Sequence, residues 1–290
     1  MRLGRTIVLT TALAVAVAGC GGKSKIDAVA DAGASLRRIH SGVLHLRLEI
    51  SAGAGDPSSR VGFQMDGPFD LAPAGATLPI ADLTTTNLSD PAAPTTRFVS
   101  TGHEAFIVQG DVGYQLADAQ LASIRLNPSS SGSGSGSFNG LDLRQWVVDP
   151  VQQPATTIAG EAVDRITGRV DPVAALNGIV DLAGQLGSGQ GSSLRVADSE
   201  AGQVRAAAKS STFEIATGTG DHLLRSLTAQ VEFAATPAET SSQAGGAVLD
   251  GLLKLGHLTL TIELRIERPN SSVSASPPAT IRPISELPKR

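Results

Sequence analysis

Cysteine is almost missing from this chain: Cys20 is the only one in 290 residues, so no disulfide within the chain can support a fold. Aromatic residues make up 3% of the sequence, with one Trp and one Tyr, which leaves Leu, Ile, Val and Ala to build any interior. Strong charge of either sign is also lacking. The formal net charge is −4, and setting aside Arg2 and Arg5 leaves 21 cations against 27 anions, or −6. A mildly acidic chain has no electrostatic reason to bind nucleic acid or to lie flat on anionic lipid.

What is present begins at the N-terminus. Arg2 and Arg5 precede an apolar run from Ile7 to Ala18, and then come Gly19 and Cys20. This is the order of a charged region, a short hydrophobic region and a small-residue cleavage site, and the run is too short for a permanent membrane span. Val17-Ala18-Gly19-Cys20 looks like a bacterial lipobox. The expectation is a signal peptide over residues 1–19 and acylation of Cys20 with diacylglycerol and a palmitate-type chain, anchoring the protein on the outer side of a bacterial cell membrane. Each buried methylene contributes roughly 0.8 kcal/mol, so more than one acyl chain gives stable attachment. Residues 20–25 read as a lipidated, solvated tether.

Residues 26–39 place Ile26, Val29, Ala30, Leu36 and Ile39 at near-helical intervals, with acids early and Arg37, Arg38 and His40 late, as the helix dipole favours. The period then changes to two. Leu44, Leu46, Leu48 and Ile50 alternate with His45, Arg47 and Glu49, and Val61, Phe63 and Met65 continue the pattern beyond a turn, so the two segments predict a hairpin. Strands are expected at 77–88, 95–101, 104–109 and 113–116. Ser/Gly-rich insertions follow near 127–140 and 187–193. Short helices are expected at 141–148, carrying Trp146, and at 201–209, with a longer one at 172–186. Further strands are expected over 163–170, 212–217, 223–234 and 256–267. In the last, Leu258, Leu260, Ile262, Leu264 and Ile266 alternate strictly with polar residues, the strongest local signal in the sequence. The tail from residue 269, with five prolines, reads as an extended strap or as disordered.

Several segments resemble the LppX/LprAFG family of envelope lipoproteins and, more distantly, the LolA-like carriers. They are Ser41-Gly42-Val43-Leu44-His45-Leu46 after the first helix, the strand-turn-strand from Phe106 to Tyr114, the segment from Ile158 to Val170, and Ser276-Pro277-Pro278-Ala279. The likeness spans most of residues 26–287, read as one domain. It implies an α+β fold: a curved antiparallel half-barrel sheet, helices covering its concave face, and a hydrophobic cavity for acyl chains. Independently of it, strands with one apolar face need a cover, and the amphipathic helices are the cover available.

Enzyme chemistry needs a constellation, and none stands out. His40, His45, His103, His222 and His257 lack metal-ligand spacing, and His45 and His257 fall on polar strand faces, where they read as solvated. Gly132-Ser133-Gly134-Ser135-Gly136 lacks the strand and helix that would aim a nucleophile, and Gly218-Thr219-Gly220-Asp221 reads as a hairpin turn. Trp146 reads as core rather than pocket lid. The sequence therefore points to a non-enzymatic protein with neither metal nor cofactor, and the resemblance, with the strand alternation, implies that it binds and carries acylated lipid or lipoglycan. Leu44, Leu46, Leu48, Phe63, Val231, Phe233, Leu260, Ile262 and Leu264 are the cavity candidates. The alternative is a structural or interaction lipoprotein with a closed core.

Overall fold

The computed structural model describes residues 24–52, 60–71, 73–90, 92–122, 141–185, 195–234 and 257–288. The expected signal peptide, Cys20 and both Ser/Gly insertions lie outside the described residues.

Helix α1 (Lys25–Ser35) starts where the Ser24 hydroxyl accepts from the Asp27 N–H, and a 3-10 turn, Leu36–Arg38, ends it. Twelve strands follow: β1 (Ser41–Ala52), β2 (Arg60–Asp70), β3 (Ile80–Asn87), β4 (Thr96–Thr101), β5 (Ala105–Gln109), β6 (Val112–Gln115), β7 (Val147–Ile158), β8 (Glu161–Val170), β9 (Ala208–Gly218), β10 (Leu224–Ala234), β11 (His257–Glu267) and β12 (Thr280–Pro283). Between them lie α2 (Asp118–Leu121), α3 (Leu143–Trp146), α4 (Pro172–Gln185) and α5 (Asp198–Ala207).

All twelve strands form one open, curved sheet in the order β12-β6-β5-β4-β3-β2-β1-β11-β10-β9-β8-β7. Every pairing is antiparallel except β12 with β6. The expected hairpin forms, with Leu48 opposite Phe63 and Leu46 opposite Met65. Because side chains alternate across a sheet, the registers define rows. One apolar row runs Ile166, Ile215, Leu227, Leu264, Leu46, Met65. A second runs Phe213, Ala229, Ile262, Leu48, Phe63. Helices cover this face: Val29 and Ala32 of α1, Leu143 and Trp146 of α3, Val173 and Ala175 of α4, and Val204 and Ala207 of α5 join the strand residues in one core. Burying each large aliphatic side chain stabilises the fold by roughly 1.5–3 kcal/mol, so this covered face supplies most of the stability.

Two expectations need correction. Periodicity does not reveal strand β7: the expected helix over 141–148 shrinks to Leu143–Trp146, and the chain continues as a twelve-residue strand. Pro150 and Pro154 conceal it, since proline cannot donate to a ladder. At the sheet edge that loss is tolerated, and the pairing with β8 shifts register twice beside them. The helix expected at 201–209 begins earlier, at Asp198, and gives way to β9 at Ala208. Glu200 explains the early start, because its carboxylate accepts from the Ala197 N–H at 3.1 Å. The tail takes the first of its two expected forms, an extended strap that runs through β12 into a 3-10 turn, Ile284–Glu286.

Candidate functional site

The helix-covered face carries all nine cavity candidates. Leu44, Leu46, Val231, Phe233, Leu260, Ile262 and Leu264 are buried there, while Leu48 and Phe63 are half-buried. Burial falls off from β9–β11 towards the hairpin end of β1 and β2. It is nearly complete on β9, β10 and β11, partial at Leu48, Ile50, Phe63, Met65 and Leu83, and lowest at Val61, which is 62% exposed. The cover is thus thinnest over the hairpin end of β1 and β2, where an aliphatic strip reaches towards solvent, while Leu44, Phe69 and Ala81 of β1, β2 and β3 are buried on the same face.

At the opposite end of the same face, a cleft of about 680 Å³ opens between α1 and strands β7, β8 and β9. Ala28, Ala32, Ile166 and Ile215 give it apolar walls, and Asp31, Arg38, Asp164 and His222 are among its polar lining. The nine sequence candidates do not border this cleft; Ile166 and Ile215, which do, extend the same row as Leu264 and Leu46. Their periodicity is visible in the sequence. What hides them is the missing link between β8 and the candidate strands, which only the strand order supplies.

Polar contacts hold the cleft's frame. The Ser35 hydroxyl donates to the Ala32 carbonyl at 2.7 Å and accepts from the Leu224 N–H at 2.9 Å, fastening the end of α1 to β10. Arg38 donates to the His222 carbonyl at 3.3 Å, and His222 sits in the β9–β10 turn at φ +56°. Beneath that turn Arg225, 8% exposed, binds Glu161 at 2.6 Å, Asp221 at 2.7 Å and the Leu223 carbonyl at 3.2 Å. Partial burial would raise the Asp221 carboxyl, but the Arg225 guanidinium and the Leu223 N–H outweigh it and hold it below the ordinary carboxylate value. Asp164 makes no ion pair among the described residues.

The helices are pinned as well. Asp171 accepts from the Val173 and Ala174 N–H groups at 2.9 and 3.0 Å, capping α4, and pairs with Arg205 of α5 at 2.8 Å. Burial works against the ionised form, yet these three partners leave its pKa lowered. Asn177 binds both backbone groups of Val196, at 2.8 and 3.3 Å. Trp146 is 4% exposed and packs under α4, as core.

On β1, β2 and β11 the outer face is largely polar. His45 is more than solvated there: its Nδ1 lies 2.8 Å from Asp66. Among the described residues, no group of three or more His, Cys, Asp or Glu side chains could hold a metal ion, and no helix is long and apolar enough to cross a membrane.

The chain is similar to the crystal structure of LprF from Mycobacterium bovis, with 12% identity and a TM-score of 0.45 over 88% of this chain and 97% of that one. It is also similar to the lipoprotein LppX of Mycobacterium tuberculosis, with 12% identity and a TM-score of 0.40 over 87% of this chain and 98% of that one. A LolA superfamily protein from Nitrosomonas europaea matches at 7% identity and a TM-score of 0.21, over 85% and 94% of the two chains. No family model and no curated protein matches the sequence.

Proposed function

We propose that this protein binds acylated lipid or lipoglycan on the helix-covered face of its sheet and carries it in the bacterial cell envelope, held at the membrane through acylated Cys20. The observation that supports this reading most directly is the burial gradient. Aliphatic side chains run in unbroken rows from a sealed core on β9–β11 to the partly uncovered strip of Leu48, Ile50, Phe63 and Met65. Such a strip offers an alkyl chain dispersion contacts and release from water, at roughly 0.8 kcal/mol for each methylene buried. The cleft beside α1 adds room with apolar walls and polar groups, the mixture that suits an amphiphile.

The lipobox sequence and the short polar stretch before α1 support export and tethering. Under this reading the nine sequence candidates split into two sets: Leu48 and Phe63 touch ligand, and the seven buried residues form the wall behind them. Native mass spectrometry of the chain without residues 1–20, purified from a bacterial host, tests the reading. Adducts with the masses of lipids are expected. A bare polypeptide mass that persists after incubation with palmitate and with a diacylated glycolipid would overturn it.

A further inference from the structure

The polypeptide after β11 does not simply trail off. Arg268 and Asn270, both at positive φ, turn it back across the sheet. There Asn270 is clamped, accepting from the His40 N–H at 3.0 Å and donating to the Arg38 carbonyl at 3.0 Å, while Ser41 Oγ donates to the Ser271 carbonyl at 2.7 Å. The chain then crosses the face opposite the helices. Ala275 packs on Val99, Phe106 and Val108, which project from the convex side because Phe98, Ile107 and Tyr114 alternate with them. Next, Pro278 occupies a notch over Gly113, where a Cβ would fall 2.4 Å from the proline Cγ. Finally Thr280–Pro283 pairs in parallel with Val112–Gln115 at the sheet edge. Between the clamp and β12, residues 272–279 make no hydrogen bond to the described residues.

The length of this strap is informative. From β11 to β12 there are seven strand steps, about 34 Å at roughly 4.8 Å each. The registers place Gln115 level with Glu267, so pairing of Thr280 beside Val112 adds about 10 Å along the strands, and the straight path becomes roughly 35 Å. Thirteen residue steps from Glu267 to Thr280 reach at most about 44 Å. The strap must also pass over a layer of side chains on a convex surface, which leaves it little slack. Bending the sheet further lengthens the convex path and leaves the concave path unextended.

We propose that this C-terminal strap is a tension member: anchored at Asn270 in the middle of the sheet and at β6 near its edge, it limits the curvature of β1–β6 and so holds open the thinly covered part of the concave face. The consequence for ligand capacity rests on the lipid-binding reading; the mechanical claim does not.

The chain without residues 1–20 contains no cysteine, so cysteines placed at Asp111, in the β5–β6 turn, and at Thr219, in the β9–β10 turn, can carry unique spin labels. Both positions are exposed. Two variants loosen the strap differently: a four-residue Gly/Ser insertion between Ser272 and Val273, and Gly113→Val, which fills the proline notch. Double electron–electron resonance should show the distance shorten and broaden in both variants, by about one strand spacing, roughly 5 Å. Amide exchange should accelerate in β4–β6 and stay unchanged in β8–β10. Distances unchanged in both variants overturn the proposal.

Binding of cis-parinaric acid is measured on the same samples, with about a threefold loss of affinity expected in the slackened chain. A shortened distance in a protein that takes up no fatty acid in any form leaves the strap standing and removes the lipid reading. Fatty acid bound with unchanged distances does the reverse.

Discussion

Gly178 of α4 lies directly on the indole of Trp146: a Cβ at that glycine would sit 2.3 Å from Cζ2 and 2.7 Å from Nε1. This contact sets how closely the α4–α5 pair approaches the sheet, and the ring has no room to retreat because it is itself part of the core. Gly178→Val should therefore lift α4 and cost about 1–3 kcal/mol, the usual range for overpacking. Since Trp146 is the only tryptophan, its emission should shift to longer wavelength as water reaches it. Urea melts followed by fluorescence check both outcomes.

The Asp171–Arg205 pair joins the start of α4 to α5, and the Asp171 carboxyl titrates below its ordinary value. A depressed folded-state pKa contributes stability that is fully present above the unfolded value, near 3.9, and is lost as pH falls through the folded one. Asp171→Asn should thus be less stable than wild type at neutral pH, with the difference shrinking below about pH 4. Thermal melts of both proteins from pH 7 down to pH 3 measure it.

Arg225 gathers two carboxylates and a backbone carbonyl under the β9–β10 turn. Arg225→Ala removes this donor from all three, leaving Asp221 with the Leu223 N–H and the Leu223 carbonyl with the Gly218 N–H, and a cost of about 1–3 kcal/mol is expected. Arg225→Lys should recover only part of it, because one ammonium cannot reproduce the planar fork that reaches Glu161 and Asp221 together. Chemical denaturation of the three proteins ranks them, and full recovery by lysine would contradict the geometry.

How much of this is legible in the sequence differs by element. In β11 and β1 the period of two settles both the strand and its inward face, and the structure places Leu260, Ile262, Leu264, Leu44 and Leu46 inward as the alternation requires. The helix before β1 is equally plain from its charge order. Strand β7 is illegible because its two prolines are tolerated only at an edge, and edge position is a property of the whole sheet. The cleft beside α1 is hidden for a similar reason: Asp164, Thr217 and His222 stand far from Asp31 and Arg38 in sequence, and the strand order alone brings them together. For the nine cavity candidates, sequence says which way they point. It does not say that only Leu48 and Phe63 stay half-covered, since that depends on where the helices stop.

Those two residues carry a further prediction. Phe63→Glu puts a charge on the half-buried strip without opening the sealed core behind it, so the protein should still fold. The direct comparison is Ile262→Glu, which buries a charge in the wall beside β10 and should prevent folding. Circular dichroism separates the two, and the folded Phe63→Glu protein should show weakened fatty-acid uptake.

The most direct measurement is photo-crosslinking of the chain lacking residues 1–20 with a palmitate analogue bearing a diazirine near its methyl end, followed by peptide mapping. Adducts on Leu48, Ile50, Phe63 or Met65, competed away by unlabelled palmitate, are the predicted result. Adducts confined to the polar face around His45 and Arg265, or none that palmitate competes, would contradict the account.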